Sequence, residues 1–373
     1  MQRAPVFQSG RRSRGLSLIE ILVGLAIGLV TALVIFEVFS MSMASNRTTS
    51  SGNEAQISAA IGLFQLERDL KVAGMGFGTL TQMSAAGVPC SVNAINPALA
   101  ASSPFTFPLV PVVITPGAGA VPDQLDVLYG NSSYMTAGRI YQSGSVSGKT
   151  TVSRGGIHPG DQAVLSDPLM PPAACELVEI TSDANADGFT VDHVQDAIYT
   201  SFYSAAQVVA TRNSAGTPAA LNGTGRLYNL GPQPRLNQWR IVNGALVAAN
   251  LLASGVASPV ADGIVNLKAE YGVDDGGGVA GAAAVPPAAA NDGIISPSEW
   301  TRAAPANWSQ VLAVRFALLA RSPHLEKSPV TPVAPSWQGG SFDMSAIPNW
   351  KNYRYRVVES VVAMRNLIWG TSP

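Results

Sequence analysis

RRSRGLSLIEILVGLAIGLVTALVIFEVF, residues 11–39, decides the fold class. It joins a basic stretch to an apolar run from Leu16 to Phe39. Residues 1–15 carry Arg3, Arg11, Arg12 and Arg14 and no acid. At ~1.5 Å per residue the run is long enough to cross a bilayer core of ~30 Å. The positive-inside rule puts the arginines in the cytoplasm and the chain after residue 40 on the far side.

Three readings of this segment compete. One is a cleaved secretory signal, with Ser42-Met43-Ala44 as a small-x-small site; the run exceeds the usual ~7–15 apolar residues of such signals. A twin-arginine export signal, from Arg11-Arg12, is the second. The third is an anchor that stays after a leader ahead of it is removed, and Glu20 favours it. A carboxylate in hydrocarbon costs about 2.5–3.5 kcal/mol even on the lenient insertion scale. Glu20 therefore either snorkels to the headgroups or meets a cation. Glu37, at the far end of the run, snorkels easily.

Composition narrows the class. The chain has 373 residues, 47% hydrophobic, which excludes general disorder. Only 13% are charged, and the formal net charge of −1 argues against a basic nucleic-acid binder. With 36 Gly and 26 Pro, turns and extended structure should be plentiful. Three His and two Cys exclude a Cys-rich zinc module and a multi-disulfide miniprotein.

Gly15-Leu16-Ser17-Leu18-Ile19-Glu20 resembles the class III signal of type IV prepilins: a basic leader, a Gly, a hydrophobic residue and Glu at the fifth mature position. The resemblance implies cleavage after Gly15 by a prepilin peptidase and N-methylation of Leu16, the new terminus. It also implies that Glu20 of one subunit meets the terminal amine of a neighbour, so that two buried charges are relieved together and register is set.

Residues 16–73 are expected to form one long helix. Its first half is apolar all round. In the second half Ile57, Ile61, Phe64 and Ala59, Leu63, Leu66, Leu70 recur at three- and four-residue steps. Glu54, Glu67, Arg68, Asp69 and Lys71 occupy the rest. Ser45-Asn46 and Ser50–Asn53 leave room for a bend or break, and Gly74–Gly78 ends the helix. Beyond residue 79 short β-type runs alternate with turns. The candidates are Pro111–Thr115, Gln124–Tyr129, Gln162–Ser166, Glu176–Thr181, Gln207–Arg212, Arg226–Leu230, Gln238–Val242, Ala245–Ala248, Val265–Val273, Val311–Leu319 and Tyr353–Ala363. Asn243-Gly244 is a hairpin signal. Two stretches read as loops with little structure: 274–290, low-complexity Gly/Ala/Pro, and 325–350, rich in proline with Trp337 and Trp350.

Within the pilins the chain is similar to PilW-type minor pilins. The marks are FQLERDLKVAG (64–74), CELVEIT (175–181), YGVD (271–274), VLAVR (311–315) and YRVVESVVAMRNL (355–367). Residues 79–170 and 275–310 carry none.

The remaining motifs are weaker. Cys90 and Cys175, both beyond the membrane, are most simply a disulfide in an oxidising compartment, with two separate buried thiols as the alternative. Asp183-Ala-Asn185-Ala-Asp187-Gly188 matches the first half of a calcium loop, with Asp192 or Asp196 substituting for the missing Glu at Val194. Asp292-Gly293 to Glu299 matches the other half. Hairpin turns explain both fragments as simply. Ser143–Thr150 nearly reads as a P-loop, but its first Gly is misplaced. His158, His193 and His324 have no metalloprotease spacing, and no GxSxG elbow is present. No enzyme activity and no cofactor is expected, calcium aside.

The expected architecture is α+β and type IV pilin-like: leader 1–15, transmembrane or filament-core helix 16–40, amphipathic half 41–74, and a β-rich antiparallel periplasmic head 75–373. The resemblance implies a minor pilin that primes or caps a type IV pilus and supports adhesion and twitching motility. It would sit in the inner membrane before assembly, N-terminus inside. Implied partners are other minor pilins, the major pilin, a PilY-type tip adhesin, the inner-membrane assembly platform and the prepilin peptidase. The alternatives are a minor pseudopilin of type II secretion and, from another class, a membrane-anchored periplasmic ligand- or calcium-binding protein.

Overall fold

The structure, a computed structural model, describes residues 17–78, 89–98, 104–134, 137–153, 155–167, 174–183, 189–213, 225–274 and 293–368. Helix α1 spans Leu18–Val72 and continues through Ser45–Asn53, where the sequence leaves room for a break. The chain divides into two compact units, Met1–Asn53 and Glu54–Pro373. The first holds Leu18–Met43, a segment of 26 residues long and apolar enough to cross a membrane. All of it is exposed, as a helix without apolar neighbours must be in water.

In the second unit, the helix from Glu54 onward buries one stripe: Ala55, Ala59, Gly62, Leu66, Leu70 and Ala73. The steps of three and four place these on one face. Small residues near the start bring the backbone close to the sheets. A Cβ at Gly62 would stand 3.1 Å from both Leu246 Cδ2 and Leu318 Cδ1. This corrects half of the periodicity reading. Ala59, Leu66 and Leu70 are core, but Ile57, Ile61 and Phe64 are 60%, 46% and 62% exposed. They form a second, uncovered apolar stripe.

The β region contains three main sheets. The first has eight strands: β1 (Ser91–Ala94), β2 (Phe105–Pro108), β5 (Arg139–Gly144), β6 (Gly148–Thr151), β7 (Gln162–Asp167), β8 (Ala174–Glu179), β9 (Thr190–Asp192) and β12 (Arg226–Gly231), in the order β2-β1-β8-β7-β12-β5-β6-β9. The second has five: β3 (Val112–Thr115), β4 (Gln124–Tyr129), β13 (Arg235–Val242), β14 (Ala245–Asn250) and β15 (Ser258–Asp262), ordered β15-β14-β13-β4-β3. The third has four: β16 (Ile264–Val273), β17 (Trp300–Thr301), β18 (Val311–Arg321) and β21 (Tyr355–Ala363), ordered β17-β16-β18-β21. Small hairpins pair β10 (Ile198–Thr200) with β11 (Gln207–Val209) and β19 (Ser336–Trp337) with β20 (Gly340–Ser341). A last helical turn, α2, covers Arg365–Ile368. Pairing is antiparallel except between β1 and β8. The fold is thus α+β, a long apolar N-terminal helix followed by a large, mostly antiparallel β region.

Asn243 and Gly244, at φ 51° and 76°, make the tight β13–β14 turn that the Asn-Gly dipeptide signals. One continuous core joins the helix stripe to all three sheets, from Val92 and Leu177 to Trp239, Leu267, Phe316 and Val362. Residues 325–350 are a correction. The stretch carries the β19–β20 hairpin and buries Phe342 and Met344 against Ala317 and Leu319 of β18. The stretch covers one face of the third sheet. Of 274–290, only Asp274 lies among the described residues. It is buried, and its Oδ2 accepts the Gly293 N–H at 2.9 Å.

Candidate functional site

The N-terminal segment is built around Glu20, in the first turn of α1. Its Oε2 accepts the Ser17 N–H at 3.1 Å, so the carboxylate caps a backbone donor the helix cannot use. A negative charge here also suits the helix dipole. Glu20 is exposed and, among the described residues, pairs with no cation. Gly15 and Leu16, the expected cleavage site and new terminus, lie outside the described residues.

Where α1 enters the head, three side chains clasp it. Asp69, read from sequence as a solvent-side charge, is buried. Its Oδ1 accepts from Tyr129 Oη at 3.0 Å, and its Oδ2 accepts from Asn237 Nδ2 at 2.7 Å and Trp239 Nε1 at 3.0 Å. Strands β4 and β13 thus supply every donor. Burial first, and then the Asp69 charge, push the Tyr129 hydroxyl above its ordinary value, so it stays a donor. One turn on, Gly74 takes φ +80° and gives its N–H to Leu128 O at 2.9 Å. Asn366 Nδ2 caps the helix carbonyls of Val72 and Ala73 at 3.1 and 2.9 Å. Two of the stretches quoted above, 64–74 and 355–367, therefore meet at the helix end.

A second buried carboxylate, Asp123, ties the second sheet to the third. Its Oδ1 accepts from Gly117 N–H at 2.9 Å, from Lys268 Nζ at 3.3 Å and from Arg302 Nη2, while Oδ2 accepts the Ala269 N–H at 2.9 Å. Every strong acceptor is used, so this is a staple and not a vacant anion or cation site.

Cys90 and Cys175 form a disulfide with a Cα–Cα distance of 5.9 Å, both buried in the main core. The bond fastens the chain before β1 to β8, the strand with which β1 pairs in parallel. Their sequence separation is 85, for which the chain-entropy model assigns about 4–5 kcal/mol. We expect intact protein to show no free thiol, and reduction or Cys90→Ala to lower the melting temperature of the head. Full thiol labelling before reduction would contradict the bond.

The calcium reading gains no support. Asp183 Oδ2 stands 3.1 Å from His158 Nδ1, and that imidazole stacks on Phe202 at 4.0 Å between ring centres. Asp192 belongs to β9, its backbone N–H bonded to Ser182 O at 2.9 Å. Asn185 and Asp187 lie outside the described residues. Among the described residues, no group of three or more His, Cys, Asp or Glu is placed to hold a metal ion. In the second fragment, Glu299 Oε2 accepts the Ser296 N–H at 2.5 Å in a capping box, a purely local role. The near P-loop is the β5–β6 hairpin. Lys149 there is buried, gives its Nζ to Ser145 O and lies 3.2 Å from His193 Nε2. Burial pulls Lys149 down to about 8 against the opposing charge of Glu176. Burial and Lys149 pull His193 down to about 3.

Residues 224–366 match the family model described as type IV pilus-assembly protein W. No curated protein matches the chain. Among solved structures, a type IV-like pilin from Thermus thermophilus is similar at 11% identity and a TM-score of 0.34, covering 84% of this chain and 96% of that one. The matched stretch takes in the third sheet, most of the second and the Asn366 cap on α1. The match over residues 224–366, under half of the chain, supports a PilW-type protein of type IV pilus assembly.

Proposed function

We propose that the chain is a minor pilin, a structural and non-enzymatic subunit that primes or caps a type IV pilus. The observation that carries the reading is the union of a PilW-type head with an N-terminal apolar helix that holds one acid, Glu20, in its first turn. Neither a simple anchor nor a ligand-binding head has use for that acid. In this reading Leu18–Met43 holds the subunit in the inner membrane and later lies among other helices in the filament. The exposed stripe of Ile57, Ile61 and Phe64 then packs on neighbouring subunits. Its partners are other minor pilins, the major pilin, a PilY-type adhesin, the assembly platform and the prepilin peptidase, and adhesion and motility follow through the pilus.

Processing tests the reading. Mass spectrometry of the protein from cells with an active prepilin peptidase is expected to find a chain beginning at Leu16, methylated on its amine. An intact Met1, or a start near Ser45, overturns it.

A further inference from the structure

The geometry points to the outer edge of β21 as a docking site for an extended segment of a different polypeptide, which adds as a further strand to the third sheet. Two bonds fix the phase of the ladder: Met364 N–H to Leu312 O and Ser322 N–H to Arg354 O, each 2.8 Å. With the pairing of Val362 to Val314 and Arg356 to Ala320, the even-numbered residues bond inward to β18. Tyr355, Val357, Glu359, Val361 and Ala363 therefore turn N–H and C=O outward. None of these backbone groups has a partner among the described residues.

The other edges are blunted. The far side of β16 is closed by Asp123, whose N–H reaches Leu267 O at 2.8 Å and whose Oδ2 takes the Ala269 N–H at 2.9 Å. Strand β15 carries Pro259 and a register shift. Strand β2 has four residues and ends in Pro108, and β9 has three. At β3 the Tyr271 hydroxyl accepts the Ile114 N–H at 2.5 Å. Strand β21 has nine residues, four of them valine, with no proline, no lysine and no register shift. An edge of that kind pairs with another chain unless something protects it.

Both faces beside the edge are already furnished. Val358 and Val362 lie against the main core, and Tyr355 and Val357 against the Phe342 and Met344 cluster. Next to the edge, Arg315, Trp337, Gln338, Glu359 and Val361 line a cleft of about 200 Å³, room for a side chain of the added strand. Charge counts against a second copy of this chain in full register. The antiparallel self-pairing that uses all five outward residues is centred on Glu359 and sets two carboxylates face to face. The occupant we infer is thus a segment of alternating apolar residues with Lys or Arg opposite Glu359. This surface lies in the head and does not depend on the role given to Glu20.

The test uses the full chain. Hydrogen exchange of the isolated protein in detergent should show outward amides of β21 exchanging about 100-fold faster than inward ones. Equal protection would mean the edge is closed and would end the proposal. In the native host, p-benzoylphenylalanine in place of Ala363 should give a photo-adduct to another protein. The adducted peptide should be extended and alternating, with a basic residue. Val361→Pro removes an outward N–H that β18 does not use, and should cut the adduct about tenfold while inward amides stay protected. If the inward amides lose protection, Val361→Lys takes its place and should cut the adduct in the same way. No adduct, an adduct only to a second copy, or one unaffected by the variant that keeps the inward amides protected, overturns the inference.

Discussion

Asp69→Ala is expected to cost the head about 3–5 kcal/mol. The carboxylate takes three hydrogen bonds, from Tyr129, Asn237 and Trp239, and is buried. Truncation leaves the buried Trp239 N–H unpaired, strips the acceptor from the half-buried Tyr129 hydroxyl and leaves Asn237 Nδ2 only its 3.2 Å bond to Tyr129 Oη; an unpaired buried donor costs about 1–3 kcal/mol, and a small cavity adds to it. Asp69→Asn should lose nearly as much, because its amide can accept at one oxygen only and turns an N–H group toward other donors. Urea unfolding of the full chain in detergent, followed by the fluorescence of Trp239 and its fellow tryptophans, measures the loss. A change under about 1 kcal/mol would refute the clasp, since even one lost hydrogen bond to a charged group is worth more. A milder variant with intact fold should still show faster hydrogen exchange over Glu54–Val72, because the bonds join that part of the helix to β4 and β13.

The same residue shows why the sequence was only partly legible. A lone Asp among Glu67, Arg68 and Lys71 has the pattern of a solvated helix face. Only the tertiary fold brings Asn237 and Trp239, from far along the chain, to satisfy it. The helix stripe is legible only in part for a related reason. Ile57, Ile61 and Phe64 have the right period and more apolar area than Ala55, Ala59 and Gly62. Close approach to two sheets selects the small residues, and size at the contact is not visible in period alone. Long strands such as β16, β18 and β21 are readable because apolar residues run for most of their length. Strands β1, β2, β9 and β10, of three or four residues, are too short to show a period. The prolines of residues 325–350 signal a loop, while Phe342 and Met344 are the signal that the stretch lies on a core. The cysteine pair was legible because few alternatives exist for two cysteines outside the cytoplasm. Of the N-terminal site, the acid and the run were plain; what Glu20 meets is a matter of assembly, which one chain does not hold.

That last point gives the second large effect. Glu20→Ala should leave membrane insertion and cleavage intact but reduce incorporation into the pilus or its priming complex about tenfold or more. Removing the acid deletes a desolvation cost of about 2.5–3.5 kcal/mol, so the single subunit has no reason to leave the membrane. Among the described residues the carboxylate receives only the Ser17 N–H, which leaves most of its acceptor capacity for a second partner. If the amine of a neighbour fills it, the charge-assisted bond is worth about 1.5–3 kcal/mol, and tenfold in incorporation corresponds to about 1.4. Glu20→Gln keeps the shape and the reach to Ser17 but not the charge, and should behave like the alanine variant. Glu20→Asp keeps the charge on a shorter stem and should retain more function than either. This order, Asp above Gln and Ala, separates a charge pair from a merely structural helix cap, for which Gln would be the better substitute. The measurement is co-purification of tagged protein with its pilin partners, normalised to membrane level, beside counts of surface pili. A subunit at the filament tip has fewer neighbours than one in the shaft, so pilus number should fall more than pilus length. Alanine and glutamine variants that co-purify at wild-type levels and support full piliation would reject Glu20 as the residue that sets register.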